Sequence, residues 1–126
     1  MPESKSKTAK APPETISLKK DDYLVRENEA GNKMFYIQSG TLKVLKIRGG
    51  MEHEIGDIFA GEIVGEISFL DNKTRSASVK ASSDCEVVVI HAEKFEKQTQ
   101  DLPIWFRALI NTILDRLRRA NSRIRI

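Results

Sequence analysis

The sequence predicts a mainly β fold, an antiparallel eight-stranded β jelly-roll barrel (a double-stranded β-helix) followed by a short helix and a longer C-terminal helix. Three observations lead there. From Thr15 to His91 short apolar or alternating runs recur between turn signals, the pattern of antiparallel strands rather than of helices. After His91 the apolar spacing changes to steps of three and four, as in a helix with one apolar face. The length, 126 residues, allows one domain with one modest core, and eight short strands within it suit a jelly roll.

Residues 1–14 combine Lys, Ser, Ala and Pro with almost nothing apolar. Such a segment cannot repay the entropy of ordering, so a disordered basic tail is expected. The expected strands are Ile16–Leu18, Tyr23–Arg26, Lys33–Gln38, Thr41–Ile47, His53–Ile55, Glu62–Val64, Ser76–Ala81 and Cys85–His91. Ser39-Gly40 and Gly49-Gly50 read as hairpin turns, and Glu29-Ala30-Gly31-Asn32 as a loop. Ala92 to Lys97 forms a short helical connector. Asp101-Leu102-Pro103 supplies a capping side chain and a Pro permitted in a first turn, so a longer helix starts there and runs to about Ser122. Within it Phe106, Ile110, Ile113, Leu117, Ala120 and Ile124 form a heptad seam, with Trp105 and Leu109 to one side. One face is expected to pair with a second copy while the adjacent face packs on the barrel.

The stretch from Gly61 to Ala81, GEIVGEISFLDNKTRSASVKA, reads as a pocket for one phosphodiester and its sugar. Gly65 allows a close backbone approach. Glu66 to Leu70 suits one helical turn whose free amides attract an anion. Asp71, Asn72, Lys73 and Thr74 reverse the chain. Arg75 then returns a planar fork able to grip two phosphate oxygens, from an expected position at a water-facing pocket mouth. Ser76 adds a hydroxyl. A carboxylate beside a phosphate is repulsive unless something between them donates to it, so Glu66 points to ribose hydroxyls. The competing reading is a solvated helix cap and an exposed turn Arg.

The run V-G-E-I-S-F-L-D-N-K-T-R-S-A resembles the phosphate-binding cassette of the cyclic-nucleotide-binding domain family, shared by catabolite activator protein, cyclic-nucleotide-dependent kinases and cyclic-nucleotide-gated channels. The family pattern is approximately F-G-E-[LIV]-[AGS]-L, three or four residues, then P-R-[ATS]-A. Val64 stands where the pattern often has Phe and Thr74 where it often has Pro. Both departures alter packing or loop stiffness rather than ligand-touching groups. The run DDYLVRENEAGNKMFYIQSGTLKVLK resembles the first half of the same barrel. The resemblance covers residues 15–124, divided into a barrel over 15–91 and helices over 92–124. It implies that Glu66 accepts from the ribose 2′-hydroxyl and that Arg75 pairs with the exocyclic phosphate oxygens. Gly65, Ser68, Ser76 and the Ile67 and Ala77 amides complete the cradle. In relatives the C-terminal helix often covers the base, which makes Arg118, Asn121 and Ser122 candidate lid residues. The small helical motif that relatives often carry before the barrel has no counterpart in the tail.

Composition narrows the function. The 31% charged and 40% hydrophobic content is that of a soluble globular chain, and no apolar run approaches the roughly 20 residues of a membrane helix. The N-terminus lacks a secretory h-region, so a cytoplasmic location is expected. Cys85 is the only cysteine, which excludes an internal disulfide or a thiolate metal cage. It falls in an apolar run and reads as a small core residue. A cupin metal centre needs several converging His or carboxylate ligands, yet only His53 and His91 exist. Neither has an identifiable nucleophile and orienting acid, so no catalysis and no metal are expected. The net charge of +3 sits at the ends, with Arg107, Arg116, Arg118, Arg119, Arg123 and Arg125 towards the C-terminus. They could meet phosphate backbones, but the DNA-binding relatives carry a helix-turn-helix after this helix and the sequence stops, so DNA binding is not expected.

The reading is a stand-alone cyclic-nucleotide sensor that binds cAMP or cGMP, leaning to cAMP. It passes occupancy through its C-terminal helix to a separate effector protein, as a homodimer through that helix. The alternative is a scaffold or interaction module of the same fold that does not bind nucleotide.

Overall fold

The computed structural model describes residues 13–66 and 74–120, with the side chain of Arg118 excepted. Of the expected tail, residues 1–12 lie outside the described residues, and Glu14 already opens the first strand. Eight strands follow in order: β1 (Glu14–Leu18), β2 (Tyr23–Val25), β3 (Lys33–Ser39), β4 (Thr41–Arg48), β5 (Met51–Phe59), β6 (Ile63–Val64), β7 (Ser78–Ala81) and β8 (Cys85–His91). Two helices complete the described chain, α1 (Ala92–Gln100) and α2 (Ile104–Ala120). The strands pair antiparallel in two four-stranded sheets, ordered β1-β8-β3-β6 and β2-β7-β4-β5. Among the described residues no ladder joins the sheets, so the expected barrel is not closed by hydrogen bonds.

Alternation explains why the sheets share one core. In β8, Cys85, Val87 and Val89 are buried, and in β3 Phe35 and Ile37 are, each set spaced by two residues. Leu42 and Val44 of β4 and Val79 and Ala81 of β7 join the same buried cluster from the other sheet. Cys85 is buried there, its thiol donating towards the Thr41 and Ser83 carbonyls, and burial pushes its pKa up.

One expected hairpin is present and one is not. Gly49 and Gly50 join β4 to β5 with Arg48 opposite Met51, and both glycines have positive φ (61° and 79°), which the tight loop requires. Gly40, by contrast, carries the chain from one sheet to the other, because β3 and β4 are not paired. Its φ is 93°, and a Cβ there would lie 2.4 Å from the Asp84 carbonyl oxygen and 2.6 Å from Cys85 Sγ. The glycine is a corner under the backbone of the β7–β8 connection.

The expected strand at His53–Ile55 is the centre of a longer one, β5. Its sequence hides its length because it is an edge strand on which only Ile58 is buried, so it lacks a clean apolar alternation. A register shift between Val44 and Leu45 leaves Ile55 unpaired and disturbs the pattern further.

Helix α2 departs from the expected seam. Phe106, Ile110, Leu114 and Leu117 are half-buried, whereas Ile113 and Ala120 are exposed and Ile124 lies outside the described residues. Trp105 (69% exposed), Leu109 (46%) and Ile113 (53%) instead form an exposed apolar stripe at intervals of four. Burial follows the helical period of 3.6, which rotates Ile113 away from the packed face that a 3.5-residue repeat assigned to it.

Candidate functional site

Strand β6 lies against the start of β3, with Val64 opposite Phe35. This places Gly65, the next residue, beside Lys33. The chain returns at Thr74, which bridges to Ala30. Arg75 is then tied at both backbone groups to the loop after β2: its N–H donates to the Glu29 carbonyl (2.8 Å) and its carbonyl accepts from the Asn28 N–H (2.8 Å). Asn28 takes a positive φ of 75°, a conformation asparagine tolerates, and this lets the loop run alongside Arg75.

The Arg75 side chain turns inward. It is only 2% exposed, so it does not stand at a water-facing mouth as the sequence suggested. Nη2 donates to the Lys33 carbonyl at 2.7 Å and Nη1 to the Gly65 carbonyl at 3.2 Å. The guanidinium also lies 5.8 Å from the Phe35 ring centroid, within the range of a cation–π contact. Nε is buried and has no partner among the described residues. Backbone carbonyls orient the fork but are neutral, so among the described residues the charge has no full counter-ion in direct contact. Burial lowers the Arg75 pKa, while Glu29 and Glu66 raise it. Arginine keeps its charge at neutral pH regardless.

The close approach expected at Gly65 is present, and it is made to Arg75. A Cβ at Gly65 would lie 2.6 Å from Arg75 Nη1 and 3.2 Å from the Lys33 carbonyl oxygen, with φ at 91°. Glu66 follows with helical backbone and is half-buried. Burial raises its carboxyl above the ordinary carboxylate range, opposed by a hydrogen bond from its own backbone and by the Arg75 charge. Ser76 is half-buried and Ala77 is buried at the entry to β7. The structure thus brings Gly65 and Glu66 to Arg75, with Ser76 and Ala77 following Arg75 along the chain. Ile67 and Ser68 lie outside the described residues, as do the lid candidates Asn121 and Ser122 and the Arg118 side chain.

Sequence reasoning missed the groups that hold this arm. Lys33 acts through a backbone carbonyl, which no side-chain motif reveals. Glu27 and Lys46 belong to no motif, yet Lys46 Nζ donates to the Ser76 carbonyl and to Glu27 Oε2 (3.2 Å). Glu27 Oε1 accepts from the Ile47 N–H at 3.2 Å, and the Glu27 N–H donates to Ser78 Oγ at 2.9 Å. His53 is exposed on β5, and His91, opposite Lys33 in the β3–β8 ladder, pairs its ring with Glu14 Oε1 at 2.7 Å.

Residues 15–101 match the family model described as cyclic nucleotide-binding domain. The chain is 34% identical over 102 residues to the potassium/sodium hyperpolarization-activated cyclic nucleotide-gated channel 4 of Homo sapiens, a match covering 81% of this chain and 8% of the channel. The EAL enzyme Bd1971 in its half-site-occupied form has a TM-score of 0.79 at 26% identity, covering 87% of this chain and 99% of that one. The cAMP-bound form of the same enzyme has a TM-score of 0.66 at 27% identity, covering 86% of this chain and 29% of that one. Its cGMP-bound form has a TM-score of 0.68 at 26% identity with the same coverage.

Proposed function

The chain belongs to the cyclic nucleotide-binding domain family, and on that premise we propose that it binds cAMP or cGMP and serves as a regulatory sensor rather than as a catalyst. The observation that carries this reading is the Arg75 guanidinium, 2% exposed, held by carbonyls and with Nε unpartnered among the described residues. Burying a charge costs several kcal/mol in the absence of a partner of opposite sign, and a single anionic phosphodiester supplies one. Glu66 beside it selects for a ligand that carries hydroxyls next to that phosphate, which describes a ribose cyclic phosphate. Gly65, Ile67, Ser68, Ser76 and Ala77 belong to the cradle by the cassette pattern. Bd1971 is known with cAMP and with cGMP bound, which supports either nucleotide for this site. The nucleotide-binding unit is taken to span residues 15–124, with its two sheets arranged as a jelly roll.

Occupancy is passed on through α2 to a separate effector, and two copies of the chain associate through the same helix. The stripe of Trp105, Leu109 and Ile113 supports this: it is apolar, continuous and exposed. Arg119 pairs with Asp115 one turn earlier, which moderates the positive charge that opposes association. Arg118, Asn121 and Ser122 remain the proposed lid. No described helix is long and apolar enough to cross a membrane, and a cytoplasmic site of action is proposed.

Calorimetric titration with cAMP and with cGMP tests the reading, and saturable binding of at least one is expected. Binding of neither overturns it and leaves a scaffold module of the same fold. Sedimentation across protein concentrations, with and without nucleotide, tests the second part. A monomer under all conditions overturns the dimer.

A further inference from the structure

The β4–β7 ladder runs from Leu42 opposite Ala81 to Leu45 opposite Ser78 and goes no further. One residue beyond its end, the Lys46 side chain takes over. Its ammonium donates to the Ser76 carbonyl and is held from the other side by Glu27, whose carboxylate also accepts from the Ile47 N–H. The Glu27 side chain is largely buried, and its own N–H donates to Ser78 Oγ. The residue after Ser76 is therefore bracketed: Ser76 O is fixed by Lys46, and Ser78 Oγ by Glu27.

A peptide unit is rigid and planar, and the described chain contains no cis bonds. In a trans unit the carbonyl of one residue and the N–H of the next point in opposite directions. Fixing Ser76 O towards β4 therefore fixes the Ala77 N–H away from β4. A cation on the carbonyl also polarises the unit and makes that N–H a stronger donor. This pair is more than a surface ion pair, because it replaces a ladder bond at the point where the chain leaves the sheet for Arg75.

We propose that Lys46 is a positioning residue for the phosphate end of the nucleotide: by holding the Ser76 carbonyl it turns the Ala77 N–H onto one of the two exocyclic phosphate oxygens. Glu27 holds Lys46 in place. The inference rests on the nucleotide reading above and adds a group that does not itself touch the ligand.

The test uses cAMP and its two phosphorothioate diastereomers, in which sulfur, a poor acceptor, replaces one or the other exocyclic oxygen. Lys46→Met keeps the apolar stem and removes the donor. It is expected to weaken cAMP about tenfold, the size of one good hydrogen bond. It is also expected to change the ratio of the two diastereomers' affinities by about threefold or more, since a single N–H serves only one oxygen. Lys46→Arg keeps a cationic donor and should hold the ratio of the parent. If Lys46→Met does not fold, Lys46→Gln, which loses the charge, carries the same expectation of a changed ratio. Uniform weakening with an unchanged ratio marks a merely structural role and overturns the inference, as does a variant that binds like the parent. A parent that binds neither cAMP nor either analogue overturns the nucleotide reading, and this inference with it.

Discussion

Arg75 and helix α2 represent opposite solutions to holding a functional element. Arg75 is secured at every level: its backbone N–H and carbonyl pair with Glu29 and Asn28, and its side chain reaches the Lys33 and Gly65 carbonyls. Helix α2 presents Trp105, Leu109 and Ile113 to solvent along one side while an adjacent side is half-buried. The first arrangement is preorganised, so little entropy remains to be lost when an anion arrives. The second leaves apolar surface that gains by being covered, at roughly 25 cal/mol per Å². The sensor role proposed above would draw on this division: a rigid recognition point fixes what is bound, and an element with incomplete burial can change partners.

The largest expected effect is at the rigid end. Arg75→Ala should reduce cyclic-nucleotide affinity by about 2–5 kcal/mol, because the phosphate loses a buried charged partner. It should also lower folding stability by about 1–3 kcal/mol, since the Lys33 and Gly65 carbonyls lose their donors. Calorimetry and urea denaturation read the two losses separately. Wild-type affinity in this variant would remove Arg75 from the site, and wild-type stability would show that its bonds are not structural.

Gly65→Ala should cost about 1–3 kcal/mol of stability from the left-handed backbone alone, with a further loss from the contact with Arg75 Nη1. Binding should fall with it, because the guanidinium has to move. Retained affinity in a destabilised Gly65→Ala protein would separate the fold of the arm from its function.

The contrast predicts the reverse at α2. Leu109→Asp combined with Ile113→Asp should leave the stability of the isolated subunit within about 0.5 kcal/mol per site, as for exposed positions elsewhere. Self-association should be abolished, and nucleotide binding should persist. A large loss of monomer stability, read by denaturation at a concentration where the parent is monomeric, would show that the stripe is part of the core.

The smallest effect concerns Glu66. Burial raises its folded-state pKa above the ordinary carboxylate value. The bound proton therefore contributes stability that is fully present below that value and is lost as pH rises through the raised one. Glu66→Gln should flatten this part of the stability–pH profile. A ribose hydroxyl that donates to Glu66 favours the charged carboxylate, so affinity in the parent should weaken as pH falls through the raised pKa. The Gln variant should lose both that dependence and much of the preference for cAMP over its 2′-deoxy analogue. An unchanged preference would count against the ribose role.

Much of this was already legible in the linear chain. Strand β8 was read at its true boundaries because it is central, and Val87 and Val89 alternate with outward residues. The Gly49-Gly50 hairpin was equally plain, since both residues have to adopt positive φ. The nearness of Gly65 and Glu66 to Arg75 was legible because they lie within ten positions of it along the chain. Sequence determined these features because each depends on neighbours along the chain.

Tertiary structure decided the rest. Whether Gly40 turns a hairpin or a corner depends on which sheet receives β4, and no local signal encodes that. Edge strand β5 buries only Ile58, so its length comes from backbone pairing with β4. The inward turn of Arg75 depends on the Lys33 carbonyl, 42 positions away, and the Lys46 bond to Ser76 spans 30. Backbone carbonyls are common to all residues and carry no sequence signature. Only the folded chain determines which of them faces a guanidinium or an ammonium group, because that choice is made by the packing of strands distant in sequence.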